Sequence, residues 1–303
     1  MQARQVSTFV VSLTPFAQDG SLDEAGFRLH LRRLAAAGIG VYVGGSGSGE
    51  GYVLSAIERR RVLEVASEEL SGRVPVRAMG VEPRSADEMV SYGREVAEAG
   101  LDAMQVYSLD QGHGNRPRAD ELERYLSDVL GAVTVPVVLS SHQAMGYAIP
   151  PELVRSLIEE YPNLIGINFT HPDVGGLVQM LDAVDGRIDI HVGGPMQALT
   201  ALALGAQGYL SSEGNLAPGL CVSVIEGHAC GDLLARDVAF SKLLRLFHAT
   251  QIGGGVAAAK GALRLLGLPG GWPRPPRLPV PDGVARELAR VFEELDLREV
   301  EIN

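Results

Sequence analysis

The chain has 303 residues, 46% of them hydrophobic, with a formal net charge of −11 at pH 7. That length suits one α/β barrel of about 250 residues with a modest addition. The negative charge argues against nucleic acid or an anionic membrane as partner. No run of about 18 apolar residues occurs, and Met1-Gln2-Ala3-Arg4-Gln5 carries no apolar signal region, so a cytoplasmic protein is expected. The two cysteines, Cys221 and Cys230, expected in a helix and the loop beyond it, do not make a disulfide framework. Of 26 basic residues only Lys242 and Lys260 are lysine, so residues 1–241 contain none.

The first β-branched run, 8–13, ends in Thr14-Pro15-Phe16 and a turn at Asp19-Gly20, before an amphipathic helix over 21–37. A second strand, 38–44, runs into the glycine-rich loop Gly45-Ser46-Gly47-Ser48-Gly49-Glu50-Gly51, with a helix over 56–70. Strand three (74–79) precedes a helix over 85–99, and strand four (102–107) a polar loop and a helix over 119–130. Strand five (135–139) leads through Ser140-Ser141-His142-Gln143 to a helix opened by Pro150-Pro151-Glu152. Strand six is Leu164 to His171, followed by a helix over 173–183; strands seven and eight are 188–192 and 208–212. Residues 232–268 and 283–296 read as helical, joined by the connector Gly270 to Pro276.

Eight strand-then-helix units at even spacing predict a (β/α)8 TIM barrel over 1–230 and a C-terminal helical extension over 231–303. A doubly wound open sheet is the structural alternative, disfavoured because no antiparallel hairpin interrupts the units. In a parallel barrel the strands' carboxyl ends carry the chemistry. Strand six is a short apolar run punctuated on both sides, and it delivers Asn168, Thr170 and His171 to that edge. His113, His142, His171 and His191 all fall at such ends, where an imidazole can act as general acid or base. No H-x-H or H-x-x-x-H spacing exists, so neither a metal nor another cofactor is expected. The hydroxyls of Ser46 and Ser48, with the amides of their loop, are suited to a carboxylate or phosphate.

Thr14-Pro15-Phe16 with Asp19-Gly20, the loop Gly45 to Glu50, Gly166-Ile167, Asn215-Leu216-Ala217-Pro218 and Lys260-Gly261-Ala262-Leu263 occur in order and at matching spacing. Together they resemble the dihydrodipicolinate synthase / N-acetylneuraminate lyase family of pyruvate-handling aldolases. The resemblance implies a barrel, a carboxylate held at the G-x-T-G-E-like loop with Ser48 in the threonine place, and a homodimer or homotetramer. It also implies a lysine after Gly166-Ile167 to form a Schiff base with a 2-oxo acid; Asn168 stands there instead. The family's tyrosine relay after strand five is matched by Ser140, and its arginine-bearing run by Ser140 to Met145, which has no arginine. Arg116 and Arg118 are candidates to replace that carboxylate clamp.

An asparagine cannot form an imine, and both lysines fall in the late helices. The expected protein is therefore a divergent lyase on a small 2-oxo acid or related carboxylate, working by histidine acid/base chemistry. Candidate catalytic residues are Asn168, His142, His171, Ser140 and His113; candidate substrate contacts are Ser46, Ser48, Gly49, Glu50, Thr170, Tyr107 and Ser211. The alternative is an inactive family member that binds a small metabolite or regulates a paralogue.

Overall fold

The computed structural model describes residues 5–143 and 146–302. Ala144 and Met145, expected in the loop after strand five, lie outside the described residues. The strands are β1 (Ser7–Val11), β2 (Gly40–Val43), β3 (Val76–Ala78), β4 (Ala103–Val106), β5 (Val137–His142), β6 (Leu164–Thr170), β7 (Asp189–Gly193) and β8 (Gly208–Ser211). They follow one another around a closed parallel barrel, which sets aside the open sheet. Every residue of β2, β4 and β8 is buried, as continuous apolar runs covered on both faces must be.

The accompanying helices are α1 (Glu24–Ala36), α2 (Ala56–Leu70), α3 (Ala86–Ala99), α4 (Ala119–Ala132), α5 (Pro151–Glu160), α6 (Val174–Val184), α7 (Ala198–Ala203) and α8 (Pro218–Cys230). Side chains fix several of their starts. Ser55 and Glu58 form a reciprocal capping box on α2, and Asp173 accepts from the Gly175 and Gly176 amides to cap α6. The extension is α9 (Leu233–Ile252), α10 (Val256–Leu265), α11 (Asp282–Glu294) and α12 (Arg298–Glu301). Helix 232–268 is thus two helices, because Gly254 and Gly255 take φ of +96° and +63° and end the first one. Cys230 closes α8 itself rather than the loop beyond it.

Contacts group the chain into two compact units, one of residues 77–210 and the other of 7–76 with 211–302. In the first, β5 runs three residues past its expected end. Ser140, Ser141 and His142 pair in register with Asn168, Phe169 and Thr170, and His142 and Tyr147 exchange backbone hydrogen bonds of 3.0 and 3.2 Å. Neighbour pairing therefore keeps a polar segment in strand conformation.

In the second unit, β1 pairs with β2, and α8 packs on β1. Lys260, expected on a peripheral helix, is fully buried on α10. Its ammonium donates to Thr14 O at 2.7 Å, to Trp272 O at 3.0 Å and to the Glu50 carboxylate. Three donors meet three acceptors. Burial pulls Lys260 down to about 8, while the Glu50 charge opposes that shift. Lys260→Met leaves the buried Glu50 carboxylate with only Arg277, 3.7 Å away, as a cation, and urea unfolding should show a loss of about 3 kcal/mol. Adding Glu50→Gln should recover part of that loss.

Candidate active site

Side chains alternate across a strand, so register sorts the residues at the carboxyl ends of β5 and β6 onto two faces. Ser140 lies beside Asn168 and His142 beside Thr170, and these four share one face. His191 of β7 is the register partner of Asn168 on its other side. On that face the Asn168 side-chain amide donates to Gln105 Oε1 from β4, two strands away; both residues are buried. Thr170 lies over Gly193, where an added Cβ would stand 2.0 Å from the threonine hydroxyl.

His171 belongs to the other face. Its ring stacks on Phe169 with centroids 4.0 Å apart and planes 7° from parallel, and its Nε2 meets Ser141 Oγ at 2.9 Å. The Ser141 hydroxyl also accepts from Ile149 N, which ties the loop after β5 to the strand. His171 is a brace of that loop, not a neighbour of the Asn168 amide.

The loop after β5 adds a residue that sequence reasoning missed. Tyr147 is half-buried and donates to Glu82 Oε1 at 3.1 Å. The ring meets Tyr107 edge-on at 6.2 Å and His142 at 6.0 Å. Burial, followed by the Glu82 charge, pushes the Tyr147 phenol well above its usual range, so it keeps its proton. His142 is pushed below 6.5, chiefly by burial, and among the described residues its Nδ1 has no hydrogen-bond partner. It is a neutral imidazole with a vacant lone pair or proton at that atom.

His191 is fully buried, and burial, with the charge of Arg77, brings it down to about 3. A histidine this deep does not exchange protons near neutrality. His113 is exposed at a left-handed position, φ +52°, in the loop before α4. Of the two arginines weighed as a clamp, Arg118 is 69% exposed and engaged with Asp120 and Glu121. Arg116 lies against Gly146, where an added Cβ would sit 2.5 Å from its Nε.

The glycine-rich loop belongs to the second unit. Ser48 is buried, yet the amides of Glu50 and Gly51 bond Gly47 O and Gly45 O within the loop, so neither faces outward. Gly49 packs on the Gly45 backbone, with room for no side chain. Glu50, expected to contact substrate, instead anchors the loop through Lys260, because a fully buried carboxylate requires a cation. Ser211 is buried and donates to Glu213, so it is likewise a structural partner. A groove of about 690 Å³ in this unit lies between α9 and α11, away from the strand ends.

Among the described residues no three of His, Cys, Asp and Glu gather as a metal site, and no helix is long and apolar enough to cross a membrane. The signals missed in the sequence are identifiable. Gln105 is a lone polar residue inside an apolar strand, which demands a buried partner. Tyr147 and Glu82 sit in separate loops and carry no spacing signal.

The fold is a closed (β/α)8 barrel with amide and imidazole groups at its strand ends. The Dihydrodipicolinate synthetase family model matches residues 3–295. The 4-hydroxy-tetrahydrodipicolinate synthase of Methanopyrus kandleri is 30% identical over 291 residues, with 94% of each chain covered. That of Hyphomonas neptunium is 33% identical over 280 residues, covering 91% of this chain and 93% of its own. A crystal structure of an E. coli K12 prophage protein of the dihydrodipicolinic acid synthase family, in complex with pyruvate, is 28% identical. It matches with a TM-score of 0.87 over 96% of this chain and 99% of its own. The chain belongs to the dihydrodipicolinate synthetase family, a lyase family.

The depressed pKa of His191 links stability to pH. Its folded value of about 3 lies below the unfolded ~6.5, so the unfolded chain binds more protons in between. Stability from this residue is present above pH ~6.5 and is lost as pH falls, at ~1.4 kcal/mol per pH unit. Urea midpoints across pH 4–7 should show His191→Gln flattening the curve by that slope; an unchanged slope contradicts the assignment.

Proposed function

We propose that the protein is a lyase of its family that acts on a small 2-oxo acid, or a derivative of one, without forming an imine. The observation that carries this reading is Asn168: it follows Gly166-Ile167 at the end of β6, is buried, and is hydrogen-bonded to Gln105. An amide is not a nucleophile. Lys260 has its three donors engaged, and Lys242 donates to Leu295 O at 2.7 Å.

Making or breaking a carbon–carbon bond beside a 2-oxo acid puts an electron pair into an enolate. Without an imine that charge rests on oxygen and needs fixed hydrogen-bond donors. The Asn168 amide, oriented by Gln105, serves as such a donor to the C2 oxygen. His142, neutral at pH 7, is the base that takes the C3 proton. Arg116, beside the same loop, holds the substrate carboxylate. The likeness to a relative solved with pyruvate supports the choice of substrate class.

Pyruvate in deuterium oxide should exchange its methyl protons in the presence of the protein, while pyruvate plus borohydride leaves the protein mass unchanged. A borohydride adduct on either lysine would sink the imine-free reading. Pyruvate binding without exchange would make the protein a metabolite binder. His142→Gln should slow exchange by about 10²-fold or more. Because the base must be unprotonated and burial lowers its pKa, the wild-type rate should fall only as pH drops through a midpoint below 6.5.

Restoring the lysine tests the position itself. Asn168→Lys places an amine where desolvation lowers its pKa from ~10.4 and frees the neutral nucleophile. Mass spectrometry should then detect a trapped pyruvate adduct, and its absence would show that position 168 does not face the substrate.

A further inference from the structure

Ser140 stands at the end of β5 where the family resemblance implies a tyrosine, and the loop bridged back to that strand carries a phenol, Tyr147, hydrogen-bonded to Glu82. We propose that Tyr147 is a further catalytic residue, a phenol that conducts the substrate hydroxyl proton to Glu82. This rests on the lyase reading and concerns a different proton from the one assigned to His142.

A carboxylate, two neighbouring rings and a backbone bridge fix the phenol. Its hydroxyl donates to Glu82 Oε1 at 3.1 Å, and its ring meets His142, which shares a face of the β5–β6 pair with Asn168. The ring is held edge-on by Tyr107 and His142, and its backbone is bridged to the end of β5. Tyr147 and Glu82 are both half-buried, close enough to solvent for a small substrate to reach the phenol. A loop tyrosine with no role beyond packing needs only its ring buried; here a carboxylate also takes up its hydroxyl.

The geometry defines a conduit, because the phenol keeps its own proton until a second one arrives. In cleavage of a 4-hydroxy-2-oxo acid, the C4 hydroxyl proton moves to Tyr147 Oη as the phenol proton moves to Glu82 Oε1. The C3–C4 bond breaks, its electron pair enters the C2–C3 enolate, and C4 leaves as an aldehyde. Glu82 returns its proton to water through Tyr147. The enolate takes a proton at C3 from water through His142, so the protein ends as it began.

The test compares two reactions of the same protein: pyruvate methyl exchange, and cleavage of 4-hydroxy-2-oxopentanoate and 4-hydroxy-2-oxoglutarate. Tyr147→Phe keeps the ring and removes the hydroxyl. It should lower kcat for cleavage by about 10²-fold or more with KM within about threefold, exceeding any loss in exchange by at least about tenfold. Glu82→Gln should fall in the same way, Glu82→Asp should retain more activity, and the double variant should fall no further than Tyr147→Phe alone. Glu82→Gln carries the test if Tyr147→Phe does not fold. Equal losses in both reactions, or additive losses in the double variant, would overturn the relay. A wild-type protein that exchanges pyruvate but cleaves neither acid removes the relay and leaves the enolisation reading intact. One that does neither removes both.

Discussion

The ion pair between Lys260 and Glu50 is the constraint around which residues 7–76 and 211–302 are built. Neither side chain touches water, so each charge leans on the other, with Arg277 Nε a second cation 3.7 Å from Glu50 Oε1. The ammonium also accounts for the carbonyls of Thr14 and Trp272, while the Phe16 ring lies 4.7 Å from it. One cation therefore joins the chain after β1, the loop after β2, the helix α10 and the connector beyond it. The tight backbone of the glycine-rich loop, with Glu50 at φ +49°, is held from this point. All three donors of Lys260 are spent on this junction.

The other unit is ordered by a different device, the two-residue period of parallel strands. Register places Ser140, His142, Asn168 and Thr170 on one face, and the opposite face holds Ser141, Phe169 and His171. Residues adjacent in sequence thus serve opposite purposes, one set presented at the strand ends and the other bracing the loop. The Gln105–Asn168 bond crosses from β4 to β6 and fixes an amide where the family resemblance implies an amine. Such buried polar pairs persist only when mutually satisfied, so either partner alone would be costly.

The imine-free reading proposed above is compatible in physical terms with membership of a lyase family. The amine lowers the energy of a carbanion by withdrawing electrons into an iminium; hydrogen-bond donors aimed at an oxyanion address the same charge less strongly. On that reading the work falls to the Asn168 amide fixed by Gln105 and to the imidazole of His142, whose pKa burial lowers.

The sequence by itself determined the barrel, because eight buried apolar runs alternating with amphipathic helices leave few other closed solutions. It also located the absence of lysine from residues 1–241, and the family through motifs kept in order. Capped helices were legible for the same reason: Ser55 with Glu58, and Asp173, act within a few residues of themselves. Only the tertiary structure decided what each polar residue does. Glu50 is separated from Lys260 by 210 positions, Tyr147 from Glu82 by 65 and Gln105 from Asn168 by 63. The sorting of His142 from His171 depends on a strand that continues past its apolar residues because its neighbour pairs with it. Hydrogen bonds and buried charges depend on distance in space, and no local pattern in a chain encodes which distant groups will meet.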